Sequence, residues 1–295
     1  MRRSRYTSRG AARGRAKAPG AGASFRGRPP GIRRGRPGAG PAVSANRRHG
    51  FAGGARPYDY AAYEREPATP EYLERLLRRH GLSPDARQLE RFWLYYDLLR
   101  RRNAEFDLTR IMGVEATALK HFVDSAIVLR HVELRGPVLD IGSGPGFPGA
   151  PIAVMRPDLP VILAESRGKR VTFLEELLAA LRLDNAAVFP HSVRIDSPLA
   201  PWREGEAPKR GEDGVWTVRD VVTRALETIS PTLERTRHFV PEGGRVVFLK
   251  GPHCGREVTE AQTSFKGVYK MAADLHYDLP GSDQRRRLVV FERRP

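Results

Sequence analysis

The stretch from Val138 to Gly149 constrains this chain more than any other. A short apolar run, Val138-Leu139-Asp140-Ile141, leads into a turn that holds Gly142, Gly144, Gly146 and Gly149. Glycine lacks a Cβ, so such a turn can take positive φ and let a ligand approach the backbone. The pattern predicts a buried strand, a sharp turn and a helix opening near Pro148. In open α/β sheets a turn of this kind lies outside the carboxyl end of the first strand, where ligands bind.

The downstream sequence agrees with such a sheet. Pro137–Ile141, Val161–Glu165, Ala186–Phe189, Trp216–Thr223 and Arg245–Leu249 read as strands. Helices are expected at Pro148–Met155, at Lys169–Leu183 and from Pro231 to about Val240. The second of these carries Val171, Leu174, Leu177, Leu178 and Leu181 on one face. Short apolar strands alternating with amphipathic helices predict a mostly parallel, doubly wound sheet. Val268–Leu275 and Arg287–Glu292 have no helix-length spacer between them, which predicts an antiparallel hairpin at the sheet edge. Pro201–Gly214 is charged and Gly/Pro-rich and reads as a surface loop.

Upstream, Thr69-Pro70 marks a helix start and Gly81 a stop. Ser83-Pro84 repeats the start signal, and Leu89, Phe92, Trp93, Tyr96 and Leu99 follow at helical spacing. Trp93 and Tyr96 are assigned to the core. A third helix is expected from about Val114 to His131. The expected class is α/β, with residues 67–135 as an N-terminal helical subdomain and 136–295 as the sheet domain.

Gly144-x-Gly146-x-x-Gly149 formally matches the dinucleotide fingerprint. A pyrophosphate, however, needs N–H groups at the helix start, and Pro145 and Pro148 each remove one. Asp140 would also bring negative charge towards the phosphates. A cationic ligand without phosphates suits the turn better. Glu165 ends the next strand, nineteen residues after Gly146, where a carboxylate can accept both hydroxyls of a ribose. S-adenosylmethionine combines a sulfonium, an ammonium and a ribose, and Asp140 and Glu165 match those groups. A nicotinamide or flavin nucleotide and a purely structural turn are the competing readings.

Charge divides the chain sharply. Residues 1–56 hold fifteen Lys and Arg and no acid, whereas the other 239 residues hold 36 basic and 34 acidic side chains. The overall +17 is therefore +15 in the first segment and +2 in the rest. With twelve Gly and five Pro, residues 1–56 cannot bury enough apolar surface to offset their ordering entropy, and residues 1–66 read as a disordered basic arm. Such an arm binds nucleic acid by counterion release, with Tyr6, Phe25 and Phe51 available to stack. A solvated tail, an organellar transit peptide and upstream sequence from a misplaced start stay open beside it. No apolar run is long enough to span a bilayer, and no secretory core precedes the arm. The single cysteine, Cys254, excludes a disulfide framework and a Cys-based zinc cluster. No metal is expected, and the cytoplasm is the default setting.

Several segments together resemble one known family. They are Asp107-Leu108-Thr109, His121-Phe122-Val123-Asp124-Ser125, the loop Asp140–Gly149 with Pro151, Glu165-Ser166-Arg167-Gly168-Lys169-Arg170, Thr223-Arg224-Ala225 and Leu249-Lys250-Gly251. The chain is similar over about 69–293 to the bacterial small-subunit ribosomal RNA guanine-N7 methyltransferases, also called glucose-inhibited division protein B. The resemblance implies a class I, Rossmann-like methyltransferase fold, S-adenosylmethionine as cofactor, and 16S ribosomal RNA or a ribosomal particle as partner; a monomer is the default expectation. It implies that Gly142 and Phe147 border the cofactor and that Glu165 faces its ribose, with Val193 and Arg194 on the adenine side; Asp140, Gly144 and Gly146 are expected at the cofactor from the turn itself. It places Arg224 at the junction of cofactor and RNA with Lys250 nearby, both as catalytic candidates, and Lys169 and Arg170 on the RNA. The family usually has Asn where Asp107 stands, and Ser192-Val193-Arg194 departs from its Arg, small or apolar, acid pattern.

The chemistry is consistent with that resemblance. Guanine N7 carries a lone pair and no proton, so in-line placement can suffice without a general base, and no catalytic triad is evident. Methylation at C5 of a pyrimidine needs a thiolate, for which Cys254 is the lone candidate and reads as a passive thiol. His121 and Asp124 read either as an interior hydrogen-bonded pair bracing the helices or as contacts to cofactor or RNA. Lys169 and Arg170 oppose the dipole of the helix they open, which leaves an RNA-phosphate role beside an ordinary solvated pair. Arg224 and Lys250 read as functional or as structural ion pairs. Arg285-Arg286-Arg287 and Arg293-Arg294 read as solvated edge charges that discourage edge pairing. A methyltransferase for another RNA nucleotide or a protein, and a non-catalytic RNA-binding assembly factor, are the alternative functions.

Overall fold

The computed structural model describes residues 66–202 and 215–295. The basic arm and most of the 201–214 loop lie outside the described residues. Helix α1 (Pro70–Arg79) starts as its sequence predicts, with the Thr69 hydroxyl accepting from Tyr72 N at 3.1 Å and Gly81 following the last turn at φ +78°. Helix α2 (Ala86–Phe106) starts one turn signal later than expected. Its cap is Asp85, which accepts from Gln88 N at 2.8 Å while the Gln88 side chain accepts from Asp85 N at 2.9 Å. That reciprocal pair satisfies two orphan amides, so it overrides Ser83-Pro84.

The single helix expected over 114–131 is broken. Helices α3 (Val114–Thr117), α4 (Asp124–Ala126) and α5 (Val128–His131) are separated by a π-helical turn, Ala118–Val123, before α4 and by Ile127 after it. Such turns are frequent at functional sites, and this one contains His121.

Next come β1 (Val138–Ile141), α6 (Gly149–Met155), β2 (Val161–Ala164), α7 (Gly168–Leu181) and β3 (Ala186–Phe189). The predicted strand Trp216–Thr223 is two strands. A short β4 (Leu199–Pro201) pairs with β5 (Trp216–Val218) in a separate two-stranded sheet, and β6 (Asp220–Arg224) joins the main one. The break falls at Arg219, where the carbonyl of Pro137 takes both Arg219 N and Asp220 N. Then follow α8 (Ile229–Thr236), β7 (Arg245–Lys250), α9 (Gly255–Ser264), β8 (Tyr269–Asp278) and β9 (Arg285–Arg293). Sequence reasoning missed β4 and α9; α9 buries only Val258 and Ala261, too few for a periodic signal.

The main sheet has the order β3-β2-β1-β6-β7-β9-β8, parallel except for β9, which runs antiparallel to both neighbours. This is the mostly parallel, doubly wound arrangement that the resemblance implies, with the expected edge hairpin. Alternation along β1 sends Val138 into the core shared with α1, α2, α6 and α7, and Leu139 and Ile141 into the core shared with α8 and α9. Residues 67–135 share one continuous core with the sheet. The carboxyl ends of β1, β2, β3, β6 and β7 lie along one edge, and the candidate site is built there.

Candidate active site

The glycine turn offers acceptors and no donors. Gly142 N and Ser143 N both donate to Ala164 O at 3.0 Å, and Gly146 N and Phe147 N both donate to Ser143 O at 2.8 Å. Gly144 N donates to Glu165 Oε2 at 3.1 Å and Gly149 N to Asp140 Oδ2 at 2.8 Å. Pro145 and Pro148 have no N–H. Every amide from 142 to 149 is thus committed inside the protein. Among the described residues the carbonyls of Gly142 and Gly144 accept nothing. A turn in this state repels a pyrophosphate and suits a cation.

Positive φ at Gly142 (+75°), Gly144 (+57°) and Gly146 (+101°) makes the turn possible. At Gly146 the approach is also tight, since a Cβ there would sit 2.5 Å from the Tyr95 hydroxyl. That hydroxyl donates to Pro145 O at 2.6 Å and ties the turn to α2.

Beside the turn lies a cavity of about 340 Å³ at the ends of β1, β2 and β6. Of the residues expected at the cofactor or RNA, Gly142, Glu165, Arg170 and Val193 line it. Ser192, Ala225, Leu226 and Arg235 also line it; sequence reasoning had not assigned these to the cofactor. Glu165 is 7% exposed and accepts from Ser166 N at 2.8 Å, Arg167 N at 2.9 Å and Gly144 N at 3.1 Å. A carboxylate has about four acceptor positions, so Glu165 keeps acceptor capacity towards the cavity. Arg170 stands 3.6 Å from Glu165 Oε2. Ala225 holds φ +52°, a left-handed conformation rare outside glycine, which bends the chain so that Leu226 packs over Gly142.

Asp140 does not line the cavity. It is fully buried, points with Val138 away from the ligand side, and holds the first turn of α6 through Gly149 N, while its Oδ1 has no partner. Burial, above all, pushes its carboxyl up to about 7, against the opposing pull of its hydrogen bonds from Gly149 and Ser143.

Arg224 organises the other side of the turn. Its Nη1 donates to Lys120 O at 3.0 Å and to Asp124 Oδ2 at 3.2 Å, and its Nη2 meets His121 Nδ1 at 3.3 Å. Its guanidinium carbon lies 5.2 Å from the centre of the Phe147 ring. The His121 ring stacks on Phe147 at 4.2 Å and 8°, and the Tyr95 ring is parallel to Phe147 at 5.2 Å. Phe147 is 3% exposed and anchors the turn. His121 and Asp124 do not bond each other; both bond Arg224. Burial first, and the Arg224 charge second, hold His121 down to about 3, so its imidazole is neutral. Asp124 is a bridge, since its Oδ1 also accepts from Arg286 Nε at 2.7 Å. Two N–H groups of Arg224, including Nε–H, have no partner among the described residues.

The remaining expected residues lie apart from the cavity. Lys250 Nζ donates to Glu227 O at 2.5 Å and Glu257 Oε2 at 2.8 Å. It therefore fixes the 225–227 turn, whose Glu227 carboxylate is also held by Thr232 and Arg235 at 2.8 Å. Lys169 donates to Glu105 O at 3.2 Å on the exposed surface. Arg194 is exposed, with its amide on Ser197 Oγ at 2.8 Å. Arg286 and Arg287 are not solvated edge charges: the first holds Asp124, and the second pairs with Asp274 through two bonds of 2.7 Å. Cys254 is buried, and desolvation pushes its thiol up, away from a reactive thiolate.

The chain is similar to a group of known proteins. The profile of the family described as rRNA small subunit methyltransferase G matches residues 88–278. A ribosomal RNA small subunit methyltransferase G 2 of Syntrophobacter fumaroxidans is 38% identical over 76% of this chain, which spans 42% of that relative's length. The protein of the same name from Bdellovibrio bacteriovorus is 33% identical over 75% of this chain and 80% of its own. Ribosomal RNA small subunit methyltransferase G of Carboxydothermus hydrogenoformans is 31% identical over 75% of this chain and 90% of its own. A family match over residues 88–278 and relatives above 30% identity covered over most of their length show that the chain belongs to the rRNA small subunit methyltransferase G family.

Proposed function

We propose that this protein transfers a methyl group from S-adenosylmethionine to N7 of a guanine in 16S ribosomal RNA, acting as a cytoplasmic monomer on the RNA or a ribosomal particle. The observation that carries the cofactor assignment is the turn from 142 to 149, in which every amide is committed and two carbonyls are open. When bound, S-adenosylmethionine supplies the electrophilic methyl group of its sulfonium. Glu165 accepts a ribose hydroxyl, the Gly142 and Gly144 carbonyls face the cationic end, and Val193 and Leu226 flank the adenine.

The histidine of the site supports N7 as the target. His121 is neutral and has both ring nitrogens engaged, by Arg224 and by Thr109, so it is not placed to remove a proton from substrate. Guanine N7 carries none, and orientation can supply the rate. The two uncommitted N–H groups of Arg224 are donors for the target nucleotide. They serve guanine O6 or a phosphate, because a donor on N7 would occupy the attacking lone pair. Tritium transfer from labelled S-adenosylmethionine to 16S RNA, followed by nucleoside mapping, tests the reading. Label in 7-methylguanosine is expected; label on another base, on protein, or nowhere would overturn it. Arg224→Ala is expected to abolish transfer, and unchanged turnover would remove Arg224 from the site.

A further inference from the structure

Thr109 lies in the loop after α2, on the far side of His121 from Arg224. Its amide and that of Leu108 are fixed on Asn103 Oδ1 at 2.8 and 3.0 Å. Its hydroxyl oxygen is 3.0 Å from His121 Nε2 and 3.0 Å from Ile111 N. The protons in this chain of contacts can be counted. A guanidinium can only donate, so His121 Nδ1, facing Arg224, must be the acceptor. The neutral imidazole then carries its proton on Nε2 and donates it to Thr109. With Ile111 N–H also donating, both lone pairs of the Thr109 oxygen are filled. Its own proton remains, and no acceptor for it exists among the described residues.

The methyl donor has one anionic group, the carboxylate of its amino-acid end, and the glycine turn has no N–H to give it. Thr109 is one imidazole away from that turn, since the His121 ring it touches stacks on Phe147. The half-buried hydroxyl is therefore an oriented donor beside a loop that lacks donors. We propose that Thr109 is a cofactor-binding residue, whose hydroxyl donates to the carboxylate of S-adenosylmethionine. This rests on the methyl-donor reading of the glycine turn and its cavity.

Calorimetric titration with S-adenosylmethionine and with its decarboxylated analogue tests the assignment on the full chain. Wild-type binding of S-adenosylmethionine is expected; its absence would overturn the methyl-donor reading itself, and this contact with it. Thr109→Val is expected to weaken S-adenosylmethionine about tenfold, the usual effect of losing a hydrogen bond to a charged group, and to leave the analogue unchanged. Thr109→Ser keeps the hydroxyl and is expected to bind both as the wild type does. Equal losses for both ligands in Thr109→Val would mean that the residue only supports the fold. Unchanged binding of both would mean that the proton serves RNA or solvent. Either result overturns the assignment of Thr109 while leaving the methyl-donor reading standing.

Discussion

Asp140 illustrates how far a residue's neighbours in sequence can mislead about its neighbours in space. Its place just before Gly142 suggests a carboxylate facing the ligand. Strand alternation decides otherwise, because Leu139 and Ile141 point to one face of β1 and Asp140 to the other. Buried there, with its carboxyl pushed up to about 7, it binds a proton in the folded state that the unfolded chain releases near pH 4. Stability from this group is complete below about pH 4 and is lost as pH rises towards 7. His121, held down to about 3, acts in the opposite direction: the unfolded chain takes up its proton below about 6.5, so stability is lost as pH falls. The two slopes oppose each other between about pH 4 and 6.5 and flatten the wild-type profile. Asp140→Asn keeps an acceptor for Gly149 N and removes one of the two. Urea unfolding without cofactor should therefore show the variant gaining on the wild type as pH rises from 4 to 7, then holding a constant difference. A difference that does not change over that range would mean Asp140 is ionised throughout.

At the level of elements, the most legible signals were those with a single dominant cause. The cap at Thr69, the alternation of strands and helices, and the absence of a spacer before β9 all predicted what the structure has. Several of the failures have a different cause: they were set by contacts distant in sequence. The helix over 114–131 contains a π turn, and the Lys120 carbonyl and the His121 and Asp124 side chains beside it are all bonded by Arg224, a hundred residues later. The arginines of β9 look alike in sequence, yet alternation sends Arg286 to Asp124 and Arg287 to Asp274. Arg286→Gln should lower stability by about 2 kcal/mol, because it leaves the buried Asp124 with one cation instead of two. Arg285→Gln, at an exposed position, should change it by less than about 0.5 kcal/mol. Denaturant midpoints measure both, and equal effects would show that β9 is not the support of the Arg224 cluster.

Over the whole molecule, the proposed action on RNA requires a source of affinity. The +17 of the chain suggests a broadly basic binder, but residues 57–295 carry only +2. Many cations of the described body are already committed: Arg224 and Arg286 to Asp124, Arg287 to Asp274, Lys250 to Glu257, Arg235 to Glu227 and Arg102 to Glu176. The cavity was legible in sequence through Gly142 and Glu165 because glycine spacing and a strand-end acid are local. The commitment of Lys250 and Arg286 was not, since their partners lie on other elements. We propose a division of labour in which the body selects the nucleotide and the fifteen cations of residues 1–56 supply affinity without selection. Each phosphate neutralised on a single strand contributes about −0.7 to the slope of log K against log salt. Deleting residues 1–56 should therefore flatten that slope and weaken binding most at low salt, with the two proteins converging as salt rises. The methylated position should stay the same. A truncated protein that modifies a different nucleotide would show that the arm takes part in selection.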